Sequence, residues 1–421
     1  MSAFRLRRVE PETVDRQQRQ AVDAETLAAA AAIVDDVRQR GEVGLRAHAE
    51  RLGDLRPGEP LVRGQAELDA ALAGLAPEQR ALLERCAARL RTFARAQRDC
   101  LRELELELAG GHAGHSVAPV ARAGCYAPGG RFALPSSVLM TALVARAAGV
   151  DQVWVASPRP SPMTLAAAAV ARAHGVLAVG GAQAVAALAW GAGPVPACDA
   201  VVGPGNRWTT AAKQLVAGRV AIDMLAGPSE LVVLADDSAD AALVAADLLA
   251  QAEHDPDALP VLVSLDEVLV GEVEREIEAQ LADLPTAEIA RQSLARGFCV
   301  LVAGHEQAVR VCDRIAPEHL SLCLRGADKL AVRFRHYGAL FVGAGSAEVL
   351  GDYGAGPNHV LPTGGTARFS SGLSVLTFLR VRTWLRIEDA AAAAPMARDA
   401  AALARLEGLE AHARSADRRA R

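Results

Sequence analysis

A glutamine and a histidine lie three residues apart where an apolar helical pattern ends. The pattern runs from Ala239 to Leu249, with leucine and valine at the spacing of one helical face. On a helix the side chains of Gln251 and His254 point the same way, so an amide oxygen and an imidazole nitrogen could bind one metal ion. A histidine near a helix C-terminus is also a common cap, and this pair alone leaves both interpretations open.

The adjacent residues Glu318 and His319 form a second chemical motif, directly after Pro317. Neighbouring side chains diverge on a strand or helix, so these two could serve one site only from a turn, which the proline favours. In an alcohol oxidation a base takes the hydroxyl proton while hydride leaves, and an aldehyde oxidation needs an activated water. A solvated Glu-His pair on the surface is the ordinary alternative.

Other polar residues lie at turns or close to the C-terminus. Asp352 and His359 are in a glycine-punctuated loop, Ser229 follows a Gly-Pro turn, and Glu407 precedes His412 by five residues. Ser229 could simply cap or pair at its turn. Imidazole nitrogen with carboxylate and amide oxygen, without thiolate, suits zinc and would also accept manganese or cobalt.

Together these blocks resemble the histidinol dehydrogenase family along nearly the whole chain. The resemblance begins at residues 124–130, Gly-Cys-Tyr-Ala-Pro-Gly-Gly, and runs to His412 with several long motifs in the family's order. It implies a zinc- and NAD-dependent enzyme that oxidises L-histidinol to L-histidine through an aldehyde, in histidine biosynthesis. It also implies a homodimer in which the C-terminal tail reaches the partner's site.

The resemblance assigns roles to individual residues. The implied metal ligands are Gln251, His254, Asp352 and His412, the last coming from the partner subunit; zinc is the expected ion and manganese the alternative. The implied catalytic residues are His319, which takes the alcohol proton, and Glu318, which activates water for the second oxidation. The residues expected to contact the substrate are Ser229, Gln251, His254, His319, Asp352, His359, Glu407 and His412, with no set role for His359.

No G-x-G-x-x-G fingerprint follows a predicted strand with an acidic residue after it. The nearest sequences are residues 179–183, Val-Gly-Gly-Ala-Gln, and 202–206, Val-Gly-Pro-Gly-Asn. Each lies between a strand and a helix, where free N–H groups favour phosphate, but such glycines also serve plain turns. The family binds NAD in a Rossmann-like domain without the fingerprint, and the resemblance implies that the NAD contacts are Tyr126, Gln183 and Asn206.

Composition limits the classes of protein. A net charge of -5 without a basic cluster argues against a nucleic-acid partner. No apolar run is long enough to span a bilayer and residues 1–20 lack a signal-peptide core, so a cytoplasmic protein is expected. The seven cysteines include no C-x-x-C pair, and Cys125 is predicted to be a small buried residue. His112 and His115, beside two glycines, are predicted to lie in a solvated loop.

Alternation of short apolar runs with helical patterns predicts an α/β fold: two Rossmann-like units with parallel sheets, one inserted in the other, plus a C-terminal helical tail exchanged in a dimer. Long helices are predicted over residues 24–52 and 77–105, and an alanine-rich connector at 390–394. A tail that packs on its own domain would bury its apolar face as well as a tail that packs on a partner subunit, and only the resemblance favours exchange. The predicted division is an N-terminal arm (1–21), a main domain with the metal and catalytic residues (22–121 and 230–373), an inserted NAD-binding domain (122–229) and the tail (374–421).

Two positions depart from the family pattern. Thr377 lies where many members have an acidic residue, and Val144 lies where a proline is common. These changes leave room for a paralogous zinc- and NAD-dependent dehydrogenase of another small amino or sulfonated alcohol. A zinc hydrolase in which Glu318 activates water and an inactive metal-binding homologue are more distant alternatives.

Overall fold

A computed structural model describes residues 4–14, 22–129 and 133–420. Its strands form two six-stranded sheets and one three-stranded sheet. In chain order the strands are β1 (Arg7–Arg8), β2 (Val62–Arg63), β3 (Leu104–Leu108), β4 (Gly111–Pro119), β5 (Arg122–Tyr126), β6 (Gln152–Ala156), β7 (Gly175–Leu177), β8 (Ala200–Val202), β9 (Ala221–Ile222), β10 (Glu230–Ala235), β11 (Leu259–Ser264), β12 (Phe298–Leu301), β13 (His319–Cys323), β14 (Ala339–Val342) and β15 (Leu379–Ile387).

The helices lie mainly between these strands, as the alternating pattern predicts. In chain order they are α1 (Ala24–Arg40), α2 (Glu42–Arg51), α3 (Gln65–Ala73), α4 (Pro77–Asp99), α5 (Pro135–Val138), α6 (Val144–Ala148), α7 (Pro162–Val170), α8 (Gly181–Trp190), α9 (Arg207–Val216), α10 (Ala241–Ala252), α11 (Glu267–Gln280), α12 (Ala287–Leu294), α13 (His305–Ile315), α14 (Ala327–Ala331), α15 (Glu348–Asp352), α16 (Ala390–Leu406) and α17 (Glu410–Asp417). A π-helical turn, Leu139–Leu143, joins α5 to α6. Among the described residues, no helix has the length and hydropathy needed to cross a membrane.

The first sheet has the strand order β1-β12-β11-β10-β13-β14, and every pairing in it is parallel. Its central strands are apolar runs because helices cover both faces. On β10 the side chains alternate between two cores: Leu231 and Val233 pack in the core that includes α10 and α11, and Val232 and Leu234 pack with α13. The predicted parallel α/β unit is confirmed here.

The second sheet has the order β2-β7-β6-β5-β8-β9, in which only β2 runs antiparallel to its neighbour. Strand β2 precedes the predicted insert, yet it pairs with β7. Buried residues of α1, such as Val34 and Val37, share a core with Ala182 and Leu188 of α8. A segment from before residue 122 therefore packs on this sheet, and the exact division into domains stays a prediction.

The third sheet corrects the interpretation of residues 100–119. Strands β3, β4 and β15 form an antiparallel sheet, so helix α4 ends at Asp99 and His112 and His115 lie on β4 instead of in a loop. His115 Nε2 is 3.1 Å from the Arg102 carbonyl oxygen, whereas His112 Nδ1 lies 3.6 Å from a carboxylate oxygen of Glu388, beyond hydrogen-bond distance. The β4–β15 pairing links residues about 270 apart, which a local pattern does not reveal.

Both ends of the chain differ in part from the sequence interpretation. Residues 7 and 8 of the predicted arm form strand β1 at the edge of the first sheet, while residues 1–3 and 15–21 fall outside the described residues. The alanine run at 390–394 is the first turn of α16 and not a connector, capped by Asp389, whose side chain accepts hydrogen bonds from the N–H groups of Ala391 and Ala392. Cys125 is buried as predicted, and burial raises the pKa of its thiol far above the usual range.

Candidate active site

The Glu318–His319 pair, predicted to be catalytic, lies at the amino-terminal edge of the first sheet. Glu318 and His319 stand at the start of β13, and Ser229 and Glu230 stand at the start of its neighbour β10. Helix α10 connects the parallel neighbours β10 and β11, so its C-terminal end returns to this same edge. Residues from three distant parts of the chain therefore meet at one place.

His319 is buried, and its two ring nitrogens have different surroundings. Nδ1 is 3.1 Å from the carbonyl oxygen of Glu230, so it carries the proton and donates it. Nε2 has no hydrogen-bond partner among the described residues and lies 3.8 Å from Asp352 Oδ1. Burial lowers the pKa of His319 to about 3. The ring is therefore neutral at ordinary pH, and its buried Nε2 carries a lone pair that no described residue uses.

Glu318 is held by two donors on the same oxygen. The Ser229 hydroxyl donates to Oε2 at 2.5 Å, and the Glu230 N–H donates to Oε2 at 3.0 Å. Burial raises the pKa of Glu318 well above its usual range, and these two donors oppose the shift because they stabilise the anion. An unusual turn precedes Glu318 and His319 and brings both to one site. In this turn Ala316, the residue before Pro317, has a positive φ of 51°.

His254 and Asp352 lie together as the proposed ligand set requires. His254 Nε2 is 3.7 Å from Asp352 Oδ2. Asp352 is buried, and burial raises the pKa of its carboxyl to about 7. His254 follows the end of α10, and a hydrogen bond from its N–H to the Gln251 carbonyl oxygen, at 3.4 Å, continues the last turn.

Gln251, another predicted ligand, has a buried side-chain amide. It is fully buried, and in the part of the chain that the structure describes neither its amide oxygen nor its amide nitrogen has a hydrogen-bond partner. A buried amide without partners costs about 1–3 kcal/mol. Such a cost at the end of α10 is offset when an ion or another polar group binds there.

Glu348 is a site residue that the sequence interpretation missed. Ligand atoms of His254, Glu348 and Asp352 lie within 4.8 Å of one another, and Glu348 Oε1 is 3.5 Å from His319 Nδ1. Burial, with the nearby charges of Asp352, Glu318 and Asp247, raises its pKa well above the usual range. Residues 348 and 352 are four apart on α15, so Asp352 ends a helix and does not lie in the predicted loop, and that helical spacing was the signal that could have found Glu348.

Asp247, one turn before Gln251 on α10, gives a prediction about stability. Burial raises its pKa to about 6, so the folded state binds its proton more tightly than the unfolded state does. The protonated side chain contributes its full stabilisation of the folded state below pH 4. This contribution to the free energy of unfolding is lost as the pH rises through the folded-state pKa of about 6. Asp247→Asn should therefore raise the free energy of unfolding above pH 7 by about 1–2 kcal/mol, less than the full pKa shift implies because the side chain is partly exposed. Urea unfolding in a chelator at pH 4 and pH 8 tests this, and an equal effect at both pH values would contradict it.

His359 lies beside this cluster as predicted. Its Nδ1 is 3.1 Å from the Asp352 carbonyl oxygen, and its Nε2 is 3.3 Å from the hydroxyl of Ser137. Burial lowers the pKa of His359 to about 4. With His254 and Asp352 it lines a cavity of about 540 Å³ whose other walls are mainly apolar, formed by residues such as Leu83 and Met140.

The two residues predicted from the tail are not brought to the cluster within this chain. Glu407 ends α16 and His412 lies on α17, and both are exposed. Among the described residues, neither side chain has a hydrogen bond or ion pair with the cluster. The exchange of the tail between subunits therefore stays a prediction.

The three predicted cofactor contacts line one larger cavity, of about 1190 Å³. Tyr126 ends β5, and Gln183 and Asn206 follow β7 and β8, so all three lie at the carboxyl edge of the second sheet, where nucleotides bind in open α/β sheets. His254 lines this cavity and also the smaller one beside Asp352. The two cavities therefore meet at a residue of the ligand cluster.

Comparison with known proteins agrees with the architecture of this α/β enzyme. The model of the histidinol dehydrogenase family matches residues 16–420. A histidinol dehydrogenase of Thermus thermophilus is 52% identical over 311 residues, 74% of this chain and 75% of that protein. One of Acinetobacter baylyi is 43% identical, covering 94% of this chain and 93% of its own length. The crystal structure of histidinol dehydrogenase from Elizabethkingia anophelis has a TM-score of 0.92 at 28% identity and covers 100% of this chain and 99% of that one.

The chain belongs to the histidinol dehydrogenase family, as the sequence motifs predict. The two departures from the family pattern lie away from the cluster. Val144 is buried in the core of the second sheet, and Thr377 Oγ1 accepts a hydrogen bond from the Ser374 N–H at 3.3 Å. Neither residue lines the two cavities that meet at His254.

Proposed function

We propose that this protein oxidises L-histidinol to L-histidine in two NAD-dependent steps through histidinal, as a cytoplasmic enzyme of histidine biosynthesis. The observation that carries the proposal is the junction at His254, where the cavity lined by Asp352 and His359 meets the larger cavity lined by Tyr126 and Asn206. Substrate in the first cavity and cofactor in the second would meet there, as hydride transfer requires. That the substrate is L-histidinol is inferred from membership of the histidinol dehydrogenase family.

The residues present fit a divalent cation. His254 and Asp352 offer a nitrogen and an oxygen atom at one place, and Gln251, one turn before His254, adds a buried amide without hydrogen-bond partners among the described residues. Such donors suit zinc and accept manganese. When bound, the ion would act as a Lewis acid and orient the nitrogens of the substrate. Gln251, His254 and Asp352 would hold it together with His412 of the partner subunit.

His319 is proposed as the base in the alcohol oxidation. Its Nδ1–H is fixed on the Glu230 carbonyl oxygen, so only Nε2 can take the hydroxyl proton. The imidazolium that forms is stabilised by the carboxyl groups of Glu348 and Glu318, whose oxygens lie 3.5 and 3.7 Å from Nδ1. When bound, NAD would accept the hydride that leaves the carbinol carbon.

Glu318 is proposed as the residue that activates water in the aldehyde oxidation. Ser229 and Glu230 both bind its Oε2, which fixes the carboxylate and leaves Oε1 for a water molecule. Glu318 lies next to His319 at the start of β13, and the two residues would take different protons. His319 would take the proton of the alcohol and Glu318 a proton of water.

A homodimer with exchanged tails is proposed because large apolar surfaces are exposed on the single chain. Strand β14 is the last strand of the first sheet, and a groove of about 740 Å³ runs along it, lined by residues such as Phe93, Leu350 and Leu376. Leu406 at the end of α16 is 86% exposed. Apolar areas of this kind mark interfaces.

Mixed dimers test the exchange. His254→Ala and His412→Ala homodimers should both be inactive, because each site loses one imidazole. In a mixed dimer purified with two tags, the core of the His412→Ala chain meets an intact tail and rebuilds one complete site. Activity should approach half that of the wild type per dimer. A mixed dimer as inactive as its parents would show that His412 serves its own chain.

Metal content gives a separate test of the ion site. Protein purified without chelator should contain near-stoichiometric zinc or manganese, and Gln251→Leu should bind it at least tenfold more weakly. Elemental analysis and equilibrium dialysis measure both quantities. Full turnover by a metal-free preparation would contradict the role of the ion.

The catalytic proposal itself is tested by NADH absorbance after histidinol and NAD are added to the purified protein. A parallel assay with other small amino alcohols and sulfonated alcohols separates histidinol oxidation from the paralogous alternative, which the family comparisons do not favour. Absence of NADH with histidinol and its appearance with another alcohol would replace the proposed substrate.

A further inference from the structure

Both helix starts that the sequence offers to a phosphate are already filled by oxygen atoms of this protein. At α8 the Gly180 N–H donates to Asp54 Oδ2 at 2.9 Å, and the Gly181 N–H donates to the Tyr126 hydroxyl oxygen at 3.1 Å. At α9 the side-chain oxygen of Asn206 accepts from the N–H groups of the next turn, at 3.0 and 3.2 Å. The backbone donors that hold a pyrophosphate in other dinucleotide sites are thus in use.

The two helix starts differ in charge. Asn206 is neutral, whereas Asp54 brings a carboxylate to the start of α8. Its Oδ2 also accepts a hydrogen bond from Gln183 Nε2 at 3.2 Å, and its own N–H is fixed on the Ala49 carbonyl oxygen at 2.8 Å. Asp54 comes from the turn after α2, far from α8 in sequence, and it lines the 1190 Å³ cavity. The carboxylate therefore occupies the position that an anionic ligand would take.

We propose that Asp54 acts as a resident anion that keeps the pyrophosphate of NAD away from the start of α8 and so limits the affinity for the cofactor. This inference rests on the proposed NAD-dependent function. A helix start carries about half a positive charge, and one carboxylate neutralises it while repelling a second anion. The same cavity is lined by the exposed side chains of Arg51 and Arg159. We expect these two cations to bind the phosphates of NAD instead of the start of α8.

The substitution Asp54→Asn tests the proposal. Asparagine keeps an oxygen that can accept from Gly180 and Gln183 but carries no charge. The variant should bind NAD and ADP-ribose about 3- to 10-fold more tightly than the wild type, in calorimetry at low ionic strength. Adenosine, which has no phosphate, should bind both proteins equally. Asp35→Asn, at an exposed position on α1 outside the cavity, removes the same charge and should leave all three affinities unchanged.

Each outcome is decisive. Equal or weaker NAD binding by the folded Asp54→Asn variant would overturn the inference, and so would an equal gain for adenosine, because that gain would not come from phosphate. If asparagine prevents folding, Asp54→Ser supplies a short neutral acceptor and is judged by the same comparison. If neither the wild type nor any variant binds NAD, the proposed function fails, and that result differs from two proteins that bind it with the same affinity.

Discussion

Replacing His319 with asparagine is expected to lower the rate of NADH formation from histidinol by about 10²- to 10⁴-fold, the usual contribution of a general base. Asparagine can still donate a hydrogen bond to the Glu230 carbonyl oxygen, which now accepts from Nδ1 at 3.1 Å. It has no group at the place of Nε2, the nitrogen without a partner among the described residues. The variant thus keeps the anchor and loses the base.

Steady-state kinetics with the wild type, His319→Asn and His305→Asn measures this effect. His305 starts α13 and is exposed, so its replacement controls for the loss of an imidazole elsewhere. Metal content must be equal in the three proteins. A His319→Asn enzyme that retains most of the wild-type rate would assign proton removal to another group.

Glu318→Gln is expected to separate the two oxidations. Glutamine can accept the hydrogen bonds from Ser229 and Glu230 but cannot take a proton from water at neutral pH. Oxidation of histidinal should therefore fall by about 10²- to 10⁴-fold, while the first hydride transfer from histidinol falls much less. Rapid-mixing experiments that supply histidinol and histidinal separately measure the two steps.

The control for this experiment is Glu306→Gln, on the exposed start of α13, where the carboxylate pairs with Arg333. It should change neither step. Equal losses on both substrates in Glu318→Gln would mean that Glu318 serves the whole site, for example through Ser229, and does not activate water for one step alone.

Much of the fold follows from local patterns. The parallel strands of the first sheet are continuous apolar runs between helical segments, so β10, β11 and β12 were predictable from composition and period. The third sheet was missed although residues 104–108, Leu-Glu-Leu-Glu-Leu, alternate as a strand does, because the predicted helix was extended to residue 105 and β3 and β15 are exposed over most of their length. Strand β15 pairs with β4 only in the folded chain, where the antiparallel pairing gives hydrogen-bond partners to the N–H and C=O groups of both strands.

The site was predictable where a motif is compact. Glu318 and His319 are adjacent, and Gln251 and His254 are one turn apart, so each pair could be found by spacing. Their meeting depends on the parallel pairing of β10 with β13, residues 230–235 with 319–323, which no local pattern contains. Asp54 was missed for the same reason, since it reaches Gly180 across 126 residues.

The stoichiometry of the complete reaction tests the central proposal most directly. Purified enzyme with limiting L-histidinol and excess NAD should form two NADH for each histidinol consumed and yield L-histidine, measured by absorbance and chromatography on the same sample. This result requires a base for the alcohol proton and a group that activates water in one site, the roles that we propose for His319 and Glu318. One NADH per histidinol with accumulation of the aldehyde, or no NADH at all, would contradict the proposal.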